Sequence, residues 1–188
     1  VGSEMCIRDS IYSYQESGIK STWKRDLKIK SLCADKAVNW TEFQRDGVIR
    51  GIKNRKNWNK NWHIFMHSEI INNSFSKQEK IDFTNNFTLP ASFLTKINKN
   101  KNIFQPAGET MAWKYLMSFS EERVKNYAYN ISKPEKSRVS CSRLSPYISW
   151  GNLNIRLVYR HLMELKKKKK NLRSINGIIS RLHWHCHF

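Results

Sequence analysis

At 188 residues and 22.4 kDa the chain is long enough for one domain or two small ones with a real core. Apolar residues make up 39 % and aromatic residues 12 %, with seven Trp, which excludes a disordered chain. The formal charge of +19, from 34 basic and 15 acidic residues, favours an anionic partner such as nucleic acid. It does not specify one, because Lys and Asn are over-used even in linker-like stretches. Four Cys, at positions 6, 33, 141 and 186, lack the spacing of a metal knuckle or a redox pair. No secretory signal is evident, and a reduced cytoplasm fits. No apolar run approaches a membrane span.

The first ten residues, Val1-Gly2-Ser3-Glu4-Met5-Cys6-Ile7-Arg8-Asp9-Ser10, match the translation of a transposon-end sequencing adapter. They are set apart from the fold as adapter-derived, and Cys6 with them. The expectation is that native sequence is missing before Ile11. The other end, Leu182 to Phe188, stops in an apolar, helix-like run with no cap, so it is expected to continue as well.

Ile11-Tyr12-Ser13-Tyr14 is a short β-prone run. Residues 22–36 predict a helix whose apolar members Trp23, Leu27, Ile29 and Leu32 follow helical spacing only loosely. Val38-Asn39-Trp40-Thr41-Glu42-Phe43 alternates apolar and polar like a half-buried strand. Strand, helix, strand is a βαβ unit, which implies a parallel sheet and a remnant of a larger α/β layer. A further helix over 54–71 carries Trp58, Trp62 and Phe65 at i, i+4 and i+7 as packing residues. Residues 72–106 are polar, rich in Asn, Lys and Ser, and broken by Pro90 and Pro106, and 72–103 reads as a connector. From Gly108 the pattern is helical: Ala112, Tyr115, Leu116 and Phe119 share one face. Val158, Leu162 and Leu165 mark another helix ending in five lysines, 166–170, which read as a solvated helix end more readily than as phosphate contacts. A third helix starts near Ser174.

The sharpest local signal is Cys141-Ser142-Arg143-Leu144-Ser145-Pro146-Tyr147. Pro favours the first turn of a helix, where free N–H groups and the positive end of the helix dipole face outward. Ser hydroxyls and a guanidinium there can cradle a diphosphate. Ser before Pro is more often only an N-cap. His183 and His187, at i and i+4 with Cys186 adjacent, have a spacing that suits zinc, but Cys186 points off their face and no third ligand appears, so no metal is assigned.

These segments resemble the DNA photolyase/cryptochrome family. Phe104-Gln105-Pro106-Ala107-Gly108-Glu109-Thr110 with Ala112 and Leu116 is similar to that family's Gly-Gly-Glu opening helix. Tyr127, Pro134 and Ser142-Arg143-Leu144-Ser145-Pro146-Tyr147 resemble its Tyr…Pro…Thr-Ser-x-Leu-Ser-Pro-Tyr segment. Upstream, the stretches around Ser13 to Gly18, Thr22 to Asp26 and Trp40 to Arg50 resemble the last third of its N-terminal α/β domain.

The resemblance implies a mixed, mostly helical chain. Residues 11–71 would be a remnant of a Rossmann-like α/β parallel-sheet domain, 72–103 a linker, and 104–188 the start of an all-α flavin-binding domain. It implies FAD contacts at Tyr127, Cys141, Ser142, Arg143, Leu144 and Ser145, with Cys141 standing where Thr is usual. It places Arg181, Trp184 and His185 on the helix that lines the flavin and lesion pocket. Trp184 then falls on the Trp that stacks against a flipped pyrimidine dimer, while Arg181 and His185 replace the family's Glu and Arg. The implied activity is light-driven repair of pyrimidine dimers in DNA, a carbon–carbon lyase reaction. The alternative is a cryptochrome-type photoreceptor without repair. A monomer is expected, the antenna pigment is unspecified, and the family's later flavin-facing helices lie outside these residues, so the 188 residues alone are expected to be inactive.

Overall fold

The computed structural model describes residues 9–71, 88–99 and 104–187. In chain order the elements are β1 (Ser10–Tyr14), α1 (Lys20–Asp35), β2 (Asn39–Phe43), α2 (Trp58–His67), α3 (Ala91–Lys99) and α4 (Glu109–Ser118). A π-helical turn, Phe119–Arg123, joins α4 to α5 (Val124–Asn130). Then come α6 (Pro134–Ser140), α7 (Ser145–Ser149), α8 (Ile155–Lys167) and α9 (Leu172–His185). The described chain is mostly helical with one small parallel sheet. None of its helices is long and apolar enough to cross a membrane.

The strand–helix–strand expectation is met. β1 and β2 pair in parallel, Ser10 opposite Asn39 through Tyr14 opposite Phe43. The Asn39 N–H donates to Asp9 O at 2.6 Å, so Asp9 and Ser10 join the ladder even though the sequence reading set them apart. One face carries Trp40, whose indole N–H donates to Ser13 Oγ at 2.9 Å. Beside it, Glu42 takes a bidentate grip from Arg50, at 2.5 and 2.8 Å, and Arg50 also reaches Asp26 on α1 at 3.3 Å. That ion cluster staples α1 to β2. On the opposite face the Tyr12 and Phe43 rings stack at 6.2 Å and are exposed.

The described chain forms two compact units, divided otherwise than the sequence suggested. Residues up to Ser68 group with those from Asn154 onward, and Glu69–Leu153 is the second unit. The resemblance implies one domain from residue 104 that would include α8 and α9. They instead complete the core of the first unit, because α2 packs on α8 and α8 on α9. Trp62, Met66, Ile155, Val158, Tyr159, Leu162, Ile175, Ile178 and Leu182 are buried there. Gly47, in the loop after β2, shows why the join is specific. A Cβ at this position would lie 2.4 Å from Trp62 Cδ1 and 3.2 Å from Cys186 Cβ. Only glycine lets the backbone come this close, and its N–H donates to Cys186 Sγ at 3.2 Å. Burial pushes the Cys186 thiol up to about 11, against the pull of the Gly47 N–H. The Trp62 indole N–H adds a weaker pull in the same direction while making no hydrogen bond of regular geometry.

The connector expected over 72–103 contains a helix. α3 begins directly after Pro90, whose carbonyl accepts the Phe93 and Leu94 N–H groups at 2.8 and 3.2 Å. Pro90 therefore starts a helix instead of breaking one. The rest of the stretch, 72–87 and 100–103, lies outside the described residues.

Candidate cofactor site

The second unit is built around the long helical rod of α4, the π turn and α5. Ala112, Leu116, Phe119, Val124 and Tyr127 are buried along it. The Phe119 and Tyr127 rings meet edge-on at 5.4 Å. α6 packs against α5 and returns the chain to the 141–145 turn. Cys141 is extended, at φ −76° and ψ 161°, and ends α6. Arg143 adopts the left-handed region at φ 57°, which costs a non-glycine residue on the order of 1 kcal/mol. Leu144 drives its side chain into the core, and α7 begins at Ser145 with Pro146 in its first turn.

Two contacts lock this turn to the segment before α4. Gln105 Nε2 donates to Arg143 O at 2.8 Å, and Arg143 Nε donates back to Gln105 Oε1 at 3.3 Å. The Tyr147 hydroxyl donates to Pro106 O at 2.7 Å. A third residue, Arg123 at the end of the π turn, donates from Nη1 to Cys141 O at 2.5 Å and from Nη2 to Tyr115 O at 2.6 Å.

The turn therefore offers outward polar groups on a fixed backbone. Ser142 is half-buried, and the Arg143 guanidinium and Ser145 are exposed. α7 has no side-chain cap. Ser hydroxyls and an exposed guanidinium on a braced backbone are groups that can meet the oxygens of an anion such as a diphosphate. Leu144 contributes backbone only, because its side chain is buried. Tyr127, expected as a cofactor contact, is instead buried with its ring against Phe119 in the core of the rod. Gln105, Tyr147 and Arg123 were not singled out as ligand-site residues from sequence. Arg123 carried no local signal, because its partners are backbone carbonyls 8 and 18 residues away.

Arg181, Trp184 and His185 stand together on the last turns of α9, in the first unit. All three are exposed, at i, i+3 and i+4, while Ile178, Leu182 and Cys186 face the core. His183 and His187 lie on neither set. Their rings meet Trp58 edge-on at 4.5 and 5.0 Å, and His187 also meets Arg55. Cys186 turns to Gly47. Among the described residues no group of three or more His, Cys, Asp or Glu is arranged to hold a metal ion.

His183 is wedged between Trp58 and Trp62, and its Nε2 donates to Asn59 Oδ1 at 2.9 Å. Burial lowers its pKa, and the neighbouring His63 and His187 lower it further. A folded-state value below the unfolded one stabilises the fold above the ordinary His value of about 6.5. That contribution is lost as the pH falls through the lowered value. Thermal unfolding midpoints should therefore drop between neutral and mildly acidic pH, and the drop should be smaller in His183→Gln. Part of the slope remains, because burial and Lys168 lower His161 in the same direction. Equal slopes in both proteins would remove His183 from this account.

No protein-family profile matches this chain, and no curated protein matches it significantly.

Proposed function

We propose that this chain belongs to a photolyase-like flavoprotein that holds FAD at the 141–145 turn and acts on pyrimidine dimers in DNA. The observation that carries the reading is the hydrogen-bonded junction of Gln105 and Pro106 with Arg143 and Tyr147. The two stretches whose residues resemble the family's flavin-domain motifs lie far apart in sequence. They meet as one polar turn with the chemistry a diphosphate needs.

In this reading Ser142, Arg143 and Ser145 bind the diphosphate, and Cys141 and Leu144 contribute backbone. FAD, when bound, supplies the light-driven electron that splits the dimer. The parallel β1–α1–β2 unit corresponds to the remnant of the Rossmann-like layer. On α9, Trp184 offers an exposed flat ring to an unstacked base, with Arg181 and His185 beside it for the nucleic-acid backbone. The net charge of +19 favours such a partner.

The second reading is a cryptochrome-type photoreceptor with the same cofactor and no repair. It is favoured by Arg181 and His185 standing where the family has Glu and Arg.

The test is to express the protein as its gene encodes it, shielded from light, and to measure bound FAD and light-dependent reversal of thymine dimers in an irradiated oligonucleotide. FAD with repair is the expected result. FAD without repair selects the photoreceptor, and a colourless protein that takes up no FAD overturns both.

A further inference from the structure

We infer that Arg123 is a positioning residue of the cofactor turn, clamping Cys141 to α4 so that the 141–145 backbone is held ready for its anion. The inference rests on the flavin reading above.

The guanidinium bridges two backbone carbonyls from different segments, Tyr115 O on α4 and Cys141 O at the start of the turn, at 2.6 and 2.5 Å. It also lies over the Tyr115 and Phe119 rings, 5.7 and 5.9 Å from their centroids. Two bonds in fixed directions plus ring stacking require a planar fork; an ammonium would satisfy at most part of this set.

The arrangement does not serve Arg123 itself. Its Nε is buried with no hydrogen-bond partner among the described residues, and it makes no ion pair there. Burial lowers its pKa, and the nearby Arg143 lowers it further, while Cys141 and Tyr115 act in the opposite sense. A cation is thus held with incomplete compensation beside the one residue of the turn, Arg143, that repels it. The π turn that ends at Arg123 is the local irregularity that delivers it there, and such turns cluster at functional sites. What Arg123 fixes is the origin of the turn: from Cys141 the chain runs through half-buried Ser142 and left-handed Arg143 to buried Leu144.

The test uses Arg123→Gln and Arg123→Lys. In the 188-residue chain, hydrogen exchange and site-resolved iodoacetamide labelling of Cys141 are followed. Arg123→Gln is expected to speed exchange over 141–145 and labelling of Cys141 several-fold, with α4 and α5 near wild type and Arg123→Lys intermediate. In the gene-encoded protein, FAD affinity should fall about tenfold in Arg123→Gln, the effect of losing hydrogen bonds from a charged donor.

An unchanged turn in Arg123→Gln overturns the proposal. So does a loosened turn with unchanged FAD affinity, and so does equal loosening of α4, α5 and the turn, which marks a merely structural role. If the wild-type protein takes up no FAD while the turn still loosens, the flavin reading falls and the clamp loses its cofactor role with it.

Discussion

Trp62→Ala is expected to lower the unfolding free energy of this chain by about 3–5 kcal/mol, the usual result of truncating a buried Trp. Trp62 is 1 % exposed and is the shared neighbour of three parts of the first unit. Its ring meets Tyr159 of α8 edge-on at 5.4 Å and His183 of α9 at 4.7 Å. The Gly47 backbone sits against its five-membered edge. Removing the indole leaves a cavity that the glycine loop, lacking a side chain, cannot fill. Small domains have only about 5–15 kcal/mol of stability, so the loss is a large share of the total. Urea unfolding followed by near-ultraviolet circular dichroism measures it. Trp62→Phe should recover most of the loss, and a cost under about 1 kcal/mol for the Ala variant would mean the site collapses freely and is no keystone.

Phe119→Ala should have a loss of similar size, about 3–5 kcal/mol, in the second unit. Phe119 is fully buried, opens the π turn, meets Tyr127 edge-on and lies beneath Arg123. Its removal takes the floor from the arginine and a wall from Tyr127 together. The expected result is a lower urea midpoint with faster hydrogen exchange from 115 to 127, and Phe119→Leu should restore most of both. Protection that is lost only at residue 119 would show that the rod does not respond as one element.

Much of the local structure was legible from sequence. The β-branched and aromatic run at Ile11, the alternation from Val38 to Phe43, and the i, i+3, i+4 spacing after Gly108 each depend on near neighbours, and each element formed within a few residues of its expected bounds. α3 is hidden in the sequence because Pro90 reads as a breaker, although the apolar Phe93, Leu94 and Ile97 that follow have a helical spacing. The grouping of the units was not legible at all. It depends on α2 packing against α8 and on Gly47 meeting Cys186 across 139 residues, contacts with no local trace in the segments that make them. The 141–145 turn falls between these cases. Its hydroxyls, Arg143, Pro146 and the bracing Tyr147 stand in one short run, whereas the other braces, Gln105 and Arg123, come from elsewhere and act partly on backbone carbonyls.

The π turn also bears on how this chain tolerates changes in length. Buried positions along the rod step by four and three residues, from Ala112 to Leu116 to Phe119, then by five to Val124 and by three to Tyr127. With one residue fewer, the five would become four, and the same apolar stripe would run along an unbroken α-helix. The turn thus behaves as a single-residue insertion absorbed in place, leaving the α5 face in register with α4. Deleting Ser120 or Glu121 would shorten the rod without turning Val124 or Tyr127 away from the core. Arg123 directly precedes Val124, so it would keep its direction from the rod as well, and its reach to Cys141 should survive the deletion.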